Sequence, residues 1–213
     1  VTQRFLYAWP ATGMQFAAFG CQLAGMTLKS TVGQIPVWTL RYKVAFWSRT
    51  AITSALTLAA AEAAIFSGGQ HFVQTTGTTT RNVPTAAEIT WSFDLGLVAK
   101  PSASLITYQT IGGWESTHKH ASVSYKVEWE TAAETLFDLD GGSTTYKQIL
   151  TQFNRNASGR GFSIYMPRCY MTGKRPTSVS FNGLQYSEYM FASREHTDTT
   201  NALTRSGFRI GIH

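Results

Sequence analysis

The sequence predicts a mainly β protein: an antiparallel β-sandwich or barrel with one flanking α-helix and a long extended loop or arm. Three observations lead there. Apolar and polar residues alternate at period 2 through four long segments. Only one segment carries a clear helical stripe. The polar share of the chain is hydroxyl and backbone rather than charge. Of 213 residues, 43% are apolar and 13% aromatic, but only 14% are charged, against about 25% in ordinary domains. So many aromatics exclude a disordered chain, and the composition excludes a coiled coil. The length suits one domain whose core needs no disulfide or metal.

The elements follow in order. Gln22 to Leu28 reads as a short strand. Trp38, Leu40, Tyr42, Val44 and Phe46 alternate with Thr39, Arg41, Lys43 and Ala45, which predicts a half-buried strand with one wet face. Ser54 to Phe66 is Ala-rich and reads as a helix ended by Gly68-Gly69. Residues 48–88 combine that run with the tract Thr75-Thr76-Gly77-Thr78-Thr79-Thr80. Stretches this long without clear structure are commonly functional or bound to a partner, so they read as an arm or extended hairpin. Ile89 to Leu97 alternates again, with Ile89, Trp91, Phe93, Leu95 and Leu97 inward. Val123 to Trp129 does the same, with Ser124, Lys126, Glu128 and Glu130 on its wet side. Thr131-Ala-Ala-Glu134 has the form of a capping box opening a short turn through Leu139. Thr144 to Asn156 is the flanking helix: Tyr146, Ile149, Leu150 and Phe153 fall at i, i+3, i+4 and i+7. Strands at Gly161–Met166, Thr177–Phe181, Leu184–Ser193 and Phe208–Ile212 complete the set. Asn182-Gly183 predicts a two-residue hairpin, because both central positions of that turn need positive φ. No composition shift or repeat marks a second domain, so residues 1–213 read as one.

The net charge is +6, yet the basic residues stand singly, the nearest pair being Lys174-Arg175. Solvated strand faces account for them without a nucleic-acid site. Cys21 and Cys169 do not make a disulfide framework and suggest a reduced, intracellular setting. Val1 to Gly20 lacks the basic start and apolar run of a secretory signal. The most apolar run, Ala51 to Phe66, is interrupted by Thr53, Ser54, Thr57 and Glu62, so no membrane span is expected.

Catalytic and cofactor motifs are missing. There is no nucleophile elbow, phosphate-binding loop, dinucleotide fingerprint or zinc-protease helix. His118-Lys-His120 with Glu115 is a thin metal set, better read as loop histidines. Asp138-Leu-Asp140-Gly141 lacks the Gly and Glu that a calcium loop needs at its sixth and twelfth positions, where Ser143 and Ile149 stand. Glu128 and Glu130 read as a solvated pair. Cys169 reads as a buried strand residue, and Trp38, Trp91 and Trp129 as core. No enzyme activity, cofactor or metal is expected.

Most of the chain resembles the tail tube (major tail) proteins of long-tailed bacteriophages. The opening segments Gly20-Cys-Gln-Leu-Ala-Gly-Met-Thr-Leu28 and Val32-Gly-Gln-Ile-Pro-Val37 are similar to that family's first strands. The strand from Ile89, the loop at Ile111-Gly-Gly-Trp114 and the strand to Glu130 follow in its order. Gly161 to Gly173, Lys174-Arg-Pro-Thr177 and the Asn182-Gly183 hairpin look like its closing sheet. The resemblance lies in order and spacing, with no diagnostic motif. It implies a virion protein, assembled in the host bacterial cytoplasm, whose copies join edge to edge into hexameric rings. The rings stack into a tube with other tail proteins, and DNA passes through the lumen without sequence-specific binding. Thr90, Ser92, Asp94, Ser124, Lys126, Glu128 and Glu130 are the candidate lumen residues. Phe66, His71, Phe72, Thr78 and Arg81 are the candidate contacts of the arm between subunits or rings. The alternatives are another phage head or tail β-protein, such as a decoration or terminator subunit, and a carbohydrate-binding β-sandwich module.

Overall fold

The computed structural model describes residues 3–9, 14–51, 70–75, 81–82, 85–101, 111–128, 146–153, 161–172, 177–194 and 207–212. These form fifteen strands and, among them, no helix. The chain divides into two compact units. The first comprises Val1–Met26, Leu40–Ala61 and Asp94–Lys119; the second comprises Thr27–Thr39, Glu62–Phe93 and His120–His213.

In the first unit, β1 (Gln3–Trp9) pairs antiparallel with the start of β2 (Met14–Thr31), whose Met14–Phe19 stretch also pairs with β4 (Phe46–Ala51). Phe19 and Phe46 are register partners, and their rings stack at 4.9 Å. Gly20 follows at φ +62, and a Cβ there would lie 2.7 Å from that of Ala45. Its carbonyl accepts the Trp114 indole N–H at 2.8 Å. Trp114 sits in β9 (Ile111–Ser116), the antiparallel partner of β8 (Leu97–Pro101). Ile111-Gly-Gly-Trp114, expected as a loop, is therefore strand.

The second unit is one antiparallel sheet. Its order from β7 (Ala86–Asp94) is β10 (His120–Val127), β14 (Leu184–Ser193), β12 (Phe162–Met171), β11 (Lys147–Gln152), β5 (Gln70–Thr75) and β6 (Arg81–Asn82). β13 (Thr177–Phe181) adds to β14, and β15 (Arg209–Ile212) to β12. On one edge, β12 changes partner along its length: Phe162–Tyr165 pair with β15 and Cys169–Met171 with β14. Pro167 lies at the changeover, where the N–H it lacks is not needed for the ladder.

Alternation works as predicted in β7 and β10. Ile89, Trp91 and Phe93, and Val123, Tyr125 and Val127, are all buried. The Trp91 indole donates to Thr151 Oγ1 at 3.2 Å, and the His71 ring meets Tyr125 edge-on at 4.5 Å. Trp91 and Thr151 lie on strands four places apart in the sheet, about 19 Å if it were flat. The sheet is therefore folded over on its own core, in the manner of a sandwich.

Two further expectations are overturned. Thr144 to Asn156 is not a flanking helix: its described part is β11, hydrogen-bonded to β12 on one side and β5 on the other. Ile149, Thr151 and Phe153 turn inward while Gln148 and Gln152 turn out. Two ready ladders outweigh a helical stripe that includes β-branched residues. The strand from Trp38 to Phe46 is also not continuous. It breaks at Val44-Ala45 into β3 (Val37–Lys43) and β4, and β3 is exposed at every position except Tyr42. The Ala-rich run 54–66, the capping box at Thr131 and Trp129 lie outside the described residues.

Candidate functional site

The wet side of β7 and β10 carries most of the candidate lumen residues. Ser92 and Glu128 are exposed, and Thr90, Ser124 and Lys126 half-buried. Asp94 is exposed and belongs to the first unit, where it pairs with Arg41 at 3.7 Å. Glu130 lies outside the described residues.

The anchor of this face is a residue the sequence reading passed over. Glu88, at the start of β7, has a side chain only 6% exposed. Its carboxylate accepts from Lys126 Nζ at 2.7 Å, Lys29 Nζ at 2.9 Å and Thr31 Oγ1 at 3.4 Å. Burial pushes its pKa up, but the hydrogen bonds from Lys126 and then Lys29 outweigh that and hold it below the usual carboxylate value. Lys126 also lies 5.3 Å over the Phe181 ring. The one cation among the candidate lumen residues is thus neutralised within its own sheet. Glu88 sits two residues before Thr90, so its place on this face was legible in the alternation; its partner on β10 was not.

The candidate arm residues divide. His71 is 6% exposed, inside the core. Burial lowers its pKa to about 4. Phe72, its neighbour, faces the other way and lines a shallow depression of about 200 Å³ with Gln74, Gln148, Leu150 and Tyr165. Arg81 lies in β6, while Phe66 and Thr78 lie outside the described residues. Residues 48–51, 70–75, 81–82 and 86–88 of the expected arm are strand.

Another exposed feature is an edge. β3 pairs with β2 on one side, and among the described residues no strand covers its other side. Val37 is 59% exposed, Leu40 49% and Trp38 37%, and Val32 and Ile35 just before it are also exposed. Its two cations are used within the chain: Arg41 pairs with Asp94, and Lys43 donates to the Leu97 carbonyl.

Neither thiol is poised for chemistry. Cys21 and Cys169 are both fully buried. Cys169 donates to the Lys147 carbonyl at 3.2 Å, and burial pushes its pKa far up. Among the described residues, no three His, Cys, Asp or Glu side chains gather as metal ligands, and no helix is long and apolar enough to cross a membrane. No protein-family model matches the chain, and no curated protein is significantly similar to it.

Proposed function

We propose that the chain is a structural subunit that assembles with copies of itself, edge to edge, into hexameric rings stacked as the tail tube of a long-tailed bacteriophage. The observation that carries this reading is β3. A seven-residue edge strand with Val37 and Leu40 in solvent, while Trp38 packs its ring on Phe93 and Phe162, is a surface that single-chain proteins normally blunt or cover. A second strand edge from another copy is the occupant that satisfies both its backbone and its apolar side chains. The low charge content of the chain favours association in the same direction. A ring closes such a head-to-tail contact into a finite assembly.

The wet face of β7 and β10 is the candidate lining of the lumen. Its hydroxyls, its neutralised Lys126 and its exposed Glu128 suit a conduit that DNA slides past. Negative-stain electron microscopy and light scattering over a concentration series test the assembly. Rings or hollow tubes are expected, and the paired substitution Val37→Lys with Leu40→Lys should leave single subunits of unchanged fold. A wild-type chain that stays monomeric at every concentration, with or without other tail proteins, would overturn the reading. Single rings that never stack would move it to a terminator subunit.

A further inference from the structure

A second feature of the outer sheet face has no part in that reading. Tyr146 precedes β11, Arg168 and Tyr170 lie on β12, and Arg194 follows β14. Three neighbouring strands bring these four side chains together. The Arg168 guanidinium lies 3.6 Å from the centre of the Tyr146 ring. Arg194 Nη1 donates to Tyr146 Oη at 2.6 Å, and its guanidinium stands 5.8 Å from the centres of both the Tyr146 and Tyr170 rings. The backbone closes the group, since the Arg194 N–H donates to the Arg168 carbonyl at 2.9 Å.

Both guanidinium groups are thus held at the same tyrosine ring. Among the described residues the ion pairs involve Lys29, Arg41, Lys100 and Lys126, and no carboxylate pairs with Arg168 or Arg194. Two like charges gathered at one ring repel, and an anion shared between them would relieve that repulsion. Stacking on Tyr146 holds the Arg168 guanidinium, the hydrogen bond to Tyr146 Oη holds that of Arg194, and the N–H donors left at their rims suit a phosphate. Tyr170 is 43% exposed, so its ring is open to a flat partner. The hydrogen bond from Arg194 lowers the Tyr146 pKa, a sign of the same concentrated positive field.

We propose that Arg168, Arg194 and Tyr170 form a binding site for a nucleic-acid strand, the two arginines holding its phosphodiester backbone and Tyr170 stacking on a base. The contact reads no sequence, because it touches phosphate and the common face of a base. It sits at the opposite end of β10 and β14 from Lys126 and its register partner Glu188. It does not depend on the assembly reading.

The test is fluorescence anisotropy of the full chain with a labelled oligothymidylate, titrated with salt, beside light scattering that reports the assembly state of each sample. Inorganic polyphosphate serves as the competing source of phosphate. The paired variant Arg168→Gln with Arg194→Gln should bind the oligonucleotide about tenfold or more weakly, with a salt slope smaller by about 1.4. Arg168→Lys with Arg194→Lys should recover part of the affinity if the fold is kept, which thermal melting checks. Tyr170→Ala should weaken the oligonucleotide and leave polyphosphate unaffected. Equal affinity and slope in the folded Gln variant would overturn the site. Polyphosphate binding as tightly per charge, with no effect of Tyr170→Ala, would overturn its assignment to nucleic acid.

Discussion

Two buried ionisable side chains set how the protein responds to acid, and they act in different pH windows. Unfolded, His71 titrates near its ordinary 6.5; folded, burial lowers it to about 4. Its Nδ1 lies 3.5 Å from Thr151 Oγ1, and among the described residues its Nε2 has no partner to compensate a proton there. Between those two values the unfolded chain takes up a proton that the folded chain refuses. Stability is therefore complete above about pH 6.5 and falls as pH drops toward 4, by on the order of 3 kcal/mol. Glu88 has the other sign of charge. Its lowered pKa adds stability above the ordinary carboxylate value, and this is lost only on going below it, about pH 4.3 and under. Denaturant unfolding between pH 8 and 3 should show both steps, and His71→Phe should flatten the first alone. Curves for wild type and His71→Phe that run parallel would exclude this account. In the sequence His71 and Glu88 fall in the expected arm, residues 48–88. The face of Glu88 followed from the alternation of β7, but the partners of both residues depended on β5, β2 and β10 finding their neighbours, which local alternation does not encode.

Among the elements, the β13–β14 hairpin was the most legible. Asn182 and Gly183 take φ of 50° and 78°, as the two-residue turn requires, and Phe181 pairs with Leu184 across it. Nothing lies within 4 Å of a Cβ added at Gly183. Gly183→Ala should therefore cost only the left-handed backbone, about 1–2 kcal/mol. Gly96 makes the contrast. It turns the chain from β7 into β8 at φ +57, and its carbonyl accepts both the N–H and Oγ1 of Thr117. A Cβ there would lie 2.2 Å from the His118 carbonyl oxygen. Gly96→Ala should cost several times as much as Gly183→Ala, measured by chemical denaturation. Equal losses would mean that the 117–119 backbone yields freely. The sequence does not separate the two glycines, since one needs room only for itself and the other faces a distant segment. β11 failed for a related reason. Tyr146, Ile149, Leu150 and Phe153 fit a helix at i, i+3, i+4 and i+7. Ile149, Thr151 and Phe153 fit a strand equally, and β5 and β12 decide between them.

At the scale of the whole molecule, the mainly β architecture followed from alternation and low charge, because a sheet with one wet face writes both into the sequence. β3 shows the limit of that logic. It alternates as regularly as β10, yet Val37 and Leu40 stand in solvent and Trp38 is only partly covered, where the apolar residues of β10 are buried. Alternation reports that a face wants cover, and not whether the cover is in the same chain. If copies join through that edge and enclose DNA, the charge of the wet face should govern passage. Asp94→Lys and Glu128→Lys should each slow DNA delivery by assembled particles; Glu128→Lys should leave subunit stability within about 0.5 kcal/mol, as for exposed substitutions generally, whereas Asp94→Lys also loses the Arg41 pair and the hydrogen bond from the Gly96 N–H. Delivery at the wild-type rate with both changes present would remove that face from the lumen. The burial of both native thiols has a practical corollary. A cysteine introduced at Val37 would be the one sulfur that a maleimide reaches in the folded protein. A short crosslinker that joins that thiol at one end to a lysine of the next chain at the other would therefore link only chains already side by side, and the ladder of masses on a denaturing gel would count the members of a closed circle.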